Sequence, residues 1–314
     1  MKIIRLTEII FLMLPAVMFL TGCVHKEIEF IGETRLMQVR FDWSKAPHAN
    51  PEGMTLFFYP LEEGGGRWRY DIAGSDGGPV DIPIGRYRVL TFNNDLPGVN
   101  YPISPDDNAP VASAKNIARA DSVVKNTGLL YSCENPVVEV TRHKVNFFNK
   151  EMQEMCRGDE LILLPEQRSV TYTIRLEDCV EAQFAGTIIA SLTGLRKDIN
   201  LATGDTSGDL VCNRVLMHEE DDFQVMEGVI TGFPDQDHNS RYLLDIYSGT
   251  VADRIWHTTY DVTLQVNNAE DPLNIPIIIT GINFPPGDAP GVGMDVGVDG
   301  WEQVEIDYPI LFPI

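Results

Sequence analysis

Ile82-Pro83-Ile84-Gly85-Arg86-Tyr87-Arg88-Val89-Leu90-Thr91-Phe92-Asn93 reads as a turn that runs into a strand. Pro83 lacks a backbone N–H and Gly85 tolerates turn geometry, so the chain bends there. After the bend the side chains follow a period of two. Tyr87, Val89 and Thr91 share one face, and Leu90 and Phe92 share the other. This is the densest strand pattern in the chain.

The same pattern recurs on both sides of it. Towards the N-terminus, residues 35–41 alternate apolar Met37, Val39 and Phe41 with polar neighbours. Trp43 follows, then a turn rich in breakers with Pro47, Asn50 and Pro51. Residues 54–59 form a short aromatic strand stopped by Pro60, and Gly64-Gly65-Gly66 reads as a hairpin loop leading into a strand over 67–72. Towards the C-terminus, residues 95–107 are loop. Residues 111–126 are the best helix candidate in this half, although their helical period is poor. Strands resume over 128–132 and 137–148.

Polar, irregular residues 151–159 mark a domain boundary, after which a second series opens at Leu161-Ile162-Leu163-Leu164-Pro165. Val170, Tyr172, Ile174 and Leu176 alternate cleanly. Further strands are expected over 184–192, 210–218, 224–232, 241–248, 258–266 (with Tyr260, Val262, Leu264 and Val266 on one face), 275–282 and 304–312. Many short alternating strands with Gly, Pro and Asn turns predict an all-β protein. Two series of about seven strands predict two β-sandwich domains in tandem, at residues 35–158 and 159–314, with no strict internal repeat.

The first 22 residues have a different character. Lys2 and Arg5 precede an apolar run over 9–20, and Leu20-Thr21-Gly22-Cys23 closes it. The run holds Pro15 and is too short for a bilayer span, which needs about 20 residues. The order is that of a bacterial secretion signal. The Leu-Thr-Gly-Cys ending resembles the lipobox of lipoproteins, and that resemblance implies cleavage before Cys23 and diacylation of its thiol. Residues 1–22 are then a lipoprotein signal peptide and residues 23–34 a polar tether. Two acyl chains suffice for stable attachment.

The chain carries a net charge of −22, and loss of the Lys2, Arg5 and Glu8 leader makes the body slightly more acidic. An acidic body repels nucleic acid, which is therefore not an expected partner. Cys133, Cys156, Cys179 and Cys212 remain after Cys23. Outside the cytoplasm they allow two disulfides in three connectivities, and buried free thiols are equally compatible with the sequence. No C-x-x-C pair suggests a zinc or redox site.

Three stretches carry a family resemblance: the ending at Cys23; Phe41-Asp42-Trp43-Ser44 with Gly53-Met54-Thr55-Leu56-Phe57-Phe58-Tyr59-Pro60; and the opening stretch 82–93. In these the chain resembles the lipid-anchored fimbrillin-type proteins of Bacteroidetes, in particular FimB-like minor fimbrial anchor subunits. The resemblance implies two tandem transthyretin-like β-sandwich domains, attachment to the outer membrane, surface exposure, and a part in adhesion or fimbrial assembly. Joining to other fimbrial subunits by strand addition is physically compatible with it, because a sandwich edge presents unpaired N–H and C=O groups. The apolar run 304–312 is a candidate donor strand or a strand closing its own sheet. The alternative function is a surface lipoprotein that binds a glycan or another extracellular polymer through aromatic residues.

Catalytic patterns are sparse. The sequence holds no G-x-S-x-G elbow, no H-E-x-x-H, no P-loop and no dinucleotide fingerprint, so neither an enzyme nor a cofactor is expected. The six histidines are scattered singly and give no metal-ligand spacing. Asp235, Asp237 and Asn239 sit at the first, third and fifth positions of a calcium-type loop, but Ser240 and Ile246 occupy the positions that need Gly and a bidentate acid. A solvated hairpin loop explains them better. Asp288, Asp295 and Asp299, the acidic run Glu219-Glu220-Asp221-Asp222 and the tripeptide Arg157-Gly158-Asp159 are equally undiagnostic.

Overall fold

Strands make up most of the described residues of the protein, for which a computed structural model describes residues 33–62, 67–101, 110–117, 120–150, 153–236, 240–249 and 255–285. The first five strands are β1 (Thr34–Phe41), β2 (Gly53–Pro60), β3 (Trp68–Ala73), β4 (Gly77–Pro83) and β5 (Gly85–Asn93). Four short ones follow: β6 (Val99–Asn100), β7 (Val111–Ala114), β8 (Asn116–Ile117) and β9 (Ala120–Val124). Next come β10 (Tyr131–Val140), β11 (Val145–Asn149), β12 (Glu154–Gly158), β13 (Glu160–Leu163) and β14 (Glu166–Gln167). The remainder are β15 (Val170–Glu177), β16 (Ile188–Asn200), β17 (Thr206–Leu216), β18 (His218–Glu220), β19 (Val225–Gly232), β20 (Leu243–Gly249), β21 (Ile255–Asp261), the helix α1 (Thr263–Asn267) and β22 (Asn274–Thr280).

These make two sandwiches, in agreement with the all-β expectation. In the first, the sheet β13-β1-β4 faces the sheet β12-β11-β10-β5-β2-β3. Met37, Val39 and Phe41 of β1 meet Met54, Leu56, Phe58, Val89 and Val138 across the core. In the second, β18-β19-β15-β22 faces β21-β20-β16-β17-β9-β8, with β7 added to β16. Val170, Tyr172, Ile174 and Leu176 are all buried there, as their alternation predicts.

β5 belongs to both cores. Tyr87 and Val89 point into the first, while Leu90 and Phe92 point into the second. The stacked rings of Phe92 and Tyr101, 5.0 Å apart, extend that second contact.

Three expectations need correction. Residues 111–126 are not a helix. Ala112 and Ala114 are buried on one face of β7, which pairs with β16, and β9 pairs in parallel with β17. The run 161–164 does not open the second series, because β13 pairs in parallel with β1 and buries Leu161 and Leu163 in the first core. The alternation over 258–266 stops being a strand at Asp261. Its carboxylate accepts bonds from the N–H (3.1 Å) and hydroxyl (2.6 Å) of Thr263, turning the chain into α1 and leaving Leu264 77% exposed.

β13 follows the expected division at residues 158 and 159 yet joins the first sandwich, while β6 to β9 precede it yet extend the second. The leader, Cys23, the triple glycine 64–66 and the run 304–312 lie outside the described residues.

Candidate functional site: the strand edges of the second sandwich

A sheet ends in a strand whose outer N–H and C=O groups need partners. On β19 two devices supply them. β18 pairs with its first half, Glu220 opposite Val225 and His218 opposite Glu227. Asn126 covers the second half: its Nδ2 donates to Val229 O at 3.3 Å and its Oδ1 accepts from Thr231 N at 3.0 Å. Thr127 N adds a bond to Thr231 O.

β22, at the opposite end of that sheet, runs parallel to β15 with Ile275, Ile277 and Ile279 buried. In parallel pairing these core-facing residues turn their backbone towards β15, as the bond from Thr171 N to Leu273 O sets in phase. Asn274, Pro276, Ile278 and Thr280 therefore turn outward. Pro276 has no N–H to leave unmet. The Gln265 amide satisfies Ile278 completely: Oε1 accepts from Ile278 N at 2.8 Å and Nε2 donates to Ile278 O at 3.1 Å. One side chain on α1 thus does the work of a neighbouring strand.

β21 differs. It pairs with β20 on one side, and among the described residues no strand pairs with the other. The bond from Val262 N to Tyr242 O at 3.0 Å fixes the ladder phase, so Ile255, His257 and Thr259 turn their backbone groups outward. Its solvent-facing side chains are tied to those of β20. His257 stacks on Tyr247 at 4.6 Å, and its Nε2 lies 3.0 Å from Asp245 Oδ1, which also accepts from the Thr259 hydroxyl. Its core-facing Trp256 and Tyr260 are only half-buried, whereas Leu244 and Ile246 on adjoining β20 are fully buried.

The other sequence candidates are spent on structure. Cys133, Cys156, Cys179 and Cys212 are free thiols, with no disulfide among them. Burial pushes the Cys133 thiol up to about 12 and that of Cys179 to about 11, which leaves neither a ready nucleophile. Cys133 lines a cleft of about 470 Å³, where Arg168 is already bonded to Glu166 at 3.0 Å and to the Ser132 hydroxyl at 3.1 Å.

Asp235 is buried and paired with Arg196 at 2.9 Å. Burial alone would raise its carboxyl, but bonds from Ser240 and Arg196 hold it below the usual range. It ties the loop from within. Asp237, Asn239, Asp288, Asp295 and Asp299 lie outside the described residues. No group of three or more His, Cys, Asp or Glu arranged for a metal occurs among the described residues.

Arg157 and Gly158 end β12, and Lys144 holds Asp159 at 2.8 Å. Glu220 of the acidic run pairs with Arg175 at 3.3 Å. The Trp43 indole donates to Ser75 O at 2.7 Å, Trp68 packs on the first core and Trp256 on the second. Gln265 and Asn126 are the edge-covering positions that the sequence does not announce. Their partners lie 13 and more than 100 residues away.

Residues 22–218 match the model described as a domain of unknown function, DUF5119. The chain belongs to the DUF5119 family. This DUF5119 chain is also 32% identical over 81 residues to a Bacteroides ovatus protein named "Putative fimbrium anchoring subunit Fim4B". The match covers 26% of the chain and about a quarter of that relative's length (24%). Among solved structures, the DUF5119 chain is similar to a "putative adhesin" from Bacteroides ovatus, at 16% identity and a TM-score of 0.62, over 84% of this chain and 98% of that one. It is also similar to the fimbrial anchor protein Mfa2 from Porphyromonas gingivalis, at 12% identity and a TM-score of 0.51, over 79% and 91%. At these identities the likeness is one of fold.

Proposed function

We propose that this DUF5119 protein is a lipid-anchored cell-surface protein serving as an anchor or accessory subunit of a fimbria-like assembly. It has no catalytic role in this reading. The observation that carries it is the local identity to a protein named as a fimbrium anchoring subunit. The shared fold with Mfa2 supports it, as does the order of charge, apolar run and Cys23 at the N-terminus. A lipid on Cys23 holds the body at the outer membrane. No helix among the described residues is long and apolar enough to cross a membrane, so the lipid is the anchor that this reading uses. Other subunits join by strand addition at a sheet edge, where main-chain bonds supply affinity and alternate side chains supply selectivity.

The test is a pull-down of the tagged, lipidated protein from its own membranes in mild detergent, run unboiled on a gel. Co-purifying surface subunits, or a ladder of regularly spaced bands, are expected. A lone monomer band overturns the subunit role. In parallel, Cys23→Ala should move the protein out of the membrane fraction; a variant that stays there overturns the lipid anchor.

A further inference from the structure

We propose that a cleft beside β10, between β14 and the end of β11, binds an extended acidic peptide segment of a partner protein. This does not depend on the fimbrial reading. Three observations meet in that cleft.

The first is a gap in the middle of a sheet. One side of β10 pairs with β5 along most of its length. On the other side β14 pairs with Tyr131 and Ser132, and β11 pairs with Val138, Glu139 and Val140. Over residues 133–137 no described strand pairs with that side. The Asn135 amide closes the far end of the gap by donating to Phe148 O at 2.8 Å. Arg168 N donates to Leu130 O at 2.7 Å on the β14 side, and Tyr131 N donates to Asn93 Oδ1 at 2.8 Å on the β5 side. Antiparallel phase then turns Ser132 towards β14 and Glu134 towards the gap. Glu134 thus offers an N–H and a C=O to an incoming main chain.

The second is space. The gap opens into the cleft of about 470 Å³ that Cys133 lines, a volume within the range of ordinary ligand sites. Phe147, Phe148 and Leu164 supply its apolar lining.

The third is charge. The chain carries −22, yet Lys45, Lys150 and Arg168 line this cleft against Glu134 and Glu166. Both carboxylates are already taken, Glu134 by Arg88 at 3.4 Å and Glu166 by Arg168 at 3.0 Å. The Arg168 side chain is only 13% exposed, and Glu166 and the Ser132 hydroxyl lock it in place. Those bonds use Nη1 and Nε, and Nη2 has no partner among the described residues. The Lys150 ammonium, one residue beyond β11, has none either. Both cations reach the same spot: burial drives the Cys133 thiol up, and Lys150 and Arg168 pull against that rise.

A guanidinium held in place binds a carboxylate without first losing rotamer freedom. An extended acidic peptide satisfies every one of these groups. Its main chain continues the ladder at Glu134, and a carboxylate meets Arg168 Nη2 and Lys150. A neutral peptide meets Glu134 alone.

Fluorescence anisotropy of labelled acetyl-Thr-Asp-Thr-Asp-Thr-amide, titrated with the full chain in mild detergent, tests this. Saturable binding with a Kd of about 1 mM or tighter is expected. The counterpart with Asn in place of Asp should bind roughly tenfold more weakly, the worth of a hydrogen bond to a charged group. Methylating every backbone nitrogen of the acidic peptide should remove detectable binding, because the ladder is lost. Lys150→Gln alters an exposed side chain and should weaken the acidic peptide roughly tenfold while leaving the Asn peptide unchanged. Lys125→Gln, exposed on the second sandwich, should change neither. Absence of binding overturns the proposal, as do equal affinities for the two peptides and an acidic-peptide affinity that Lys150→Gln leaves intact. Equal losses in Lys125→Gln and Lys150→Gln also overturn it, since general charge attraction then suffices. Self-association that the acidic peptide disperses and Lys150→Gln abolishes assigns the cleft to a second copy, which overturns it too.

Discussion

β21 and β22 are consecutive strands, each ends a sheet of the same sandwich, and the chain just beyond β22 touches β21 through Phe284 and Trp256. β22 carries its own seal: Pro276 omits one outward donor and Gln265 satisfies both groups of Ile278. β21 has no such device among the described residues, although its side chains are ordered by Tyr247 and Asp245. An edge sealed by a side chain is closed to other chains while its helix stays in place. An edge without such a device stays open to strand addition. The contrast shows that this fold treats its edges individually.

The two strands are also rooted differently, which gives the largest expected effect. Ile277 at the centre of β22 is fully buried, so Ile277→Ala removes methyl groups and leaves a cavity. A loss of about 2–5 kcal/mol is expected by chemical denaturation. Trp256→Ala on β21 takes away a half-buried ring and should cost less, despite the larger side chain. If the order is reversed, β21 is the better-rooted strand and the comparison fails.

Gln265→Ala strikes at the seal itself. Two hydrogen bonds are lost, at about 1 kcal/mol each, while solvent re-satisfies part of the exposed backbone. The net cost is expected near 1–2 kcal/mol, with a second and more telling consequence. The outward groups of Ile278 become a template for a foreign strand. Sedimentation velocity should show concentration-dependent association in Gln265→Ala that the unaltered protein lacks. Association without any change would mean that the amide guards nothing.

How much of this was legible in the sequence depends on distance along the chain. β15 and β5 were readable because each needs only its own period of two, whereas the division of the faces of β5 between two cores shows only in the fold. β7 to β9 were misread because Ala112, Ala114 and their neighbours suit a helix locally and become strands only by pairing with β16 and β17. β13 follows the boundary in sequence, but its partner is β1, more than 100 residues earlier. The edge devices are hardest of all. Gln265 lies in a stretch whose alternation continues smoothly to Val266, and only the carboxylate of Asp261 stops the strand. Bonds from Thr263 and the Arg241 guanidinium hold that carboxyl down at about 2, so it stays an acceptor at any ordinary pH. Cys23 belongs to the opposite class: the lipid attachment proposed for it rests on the local pattern Leu20-Thr21-Gly22-Cys23 alone.

The smallest expected effect separates the two parts of the β22 seal. Pro276→Ala restores an N–H at a position that points to solvent, and the strand already has the geometry that alanine accepts. The folded state loses almost nothing, while the unfolded chain gains freedom, so a destabilisation of at most about 1 kcal/mol is expected. Gln265 still covers Ile278 two residues further on, and the protein should stay monomeric. Combining Pro276→Ala with Gln265→Ala leaves consecutive outward groups free on β22. The double variant should associate more strongly than Gln265→Ala alone, at nearly the same stability. If association instead follows stability across the three variants, exposure of the core rather than of the edge drives it, and the distinction between a sealed and an open strand loses its physical basis.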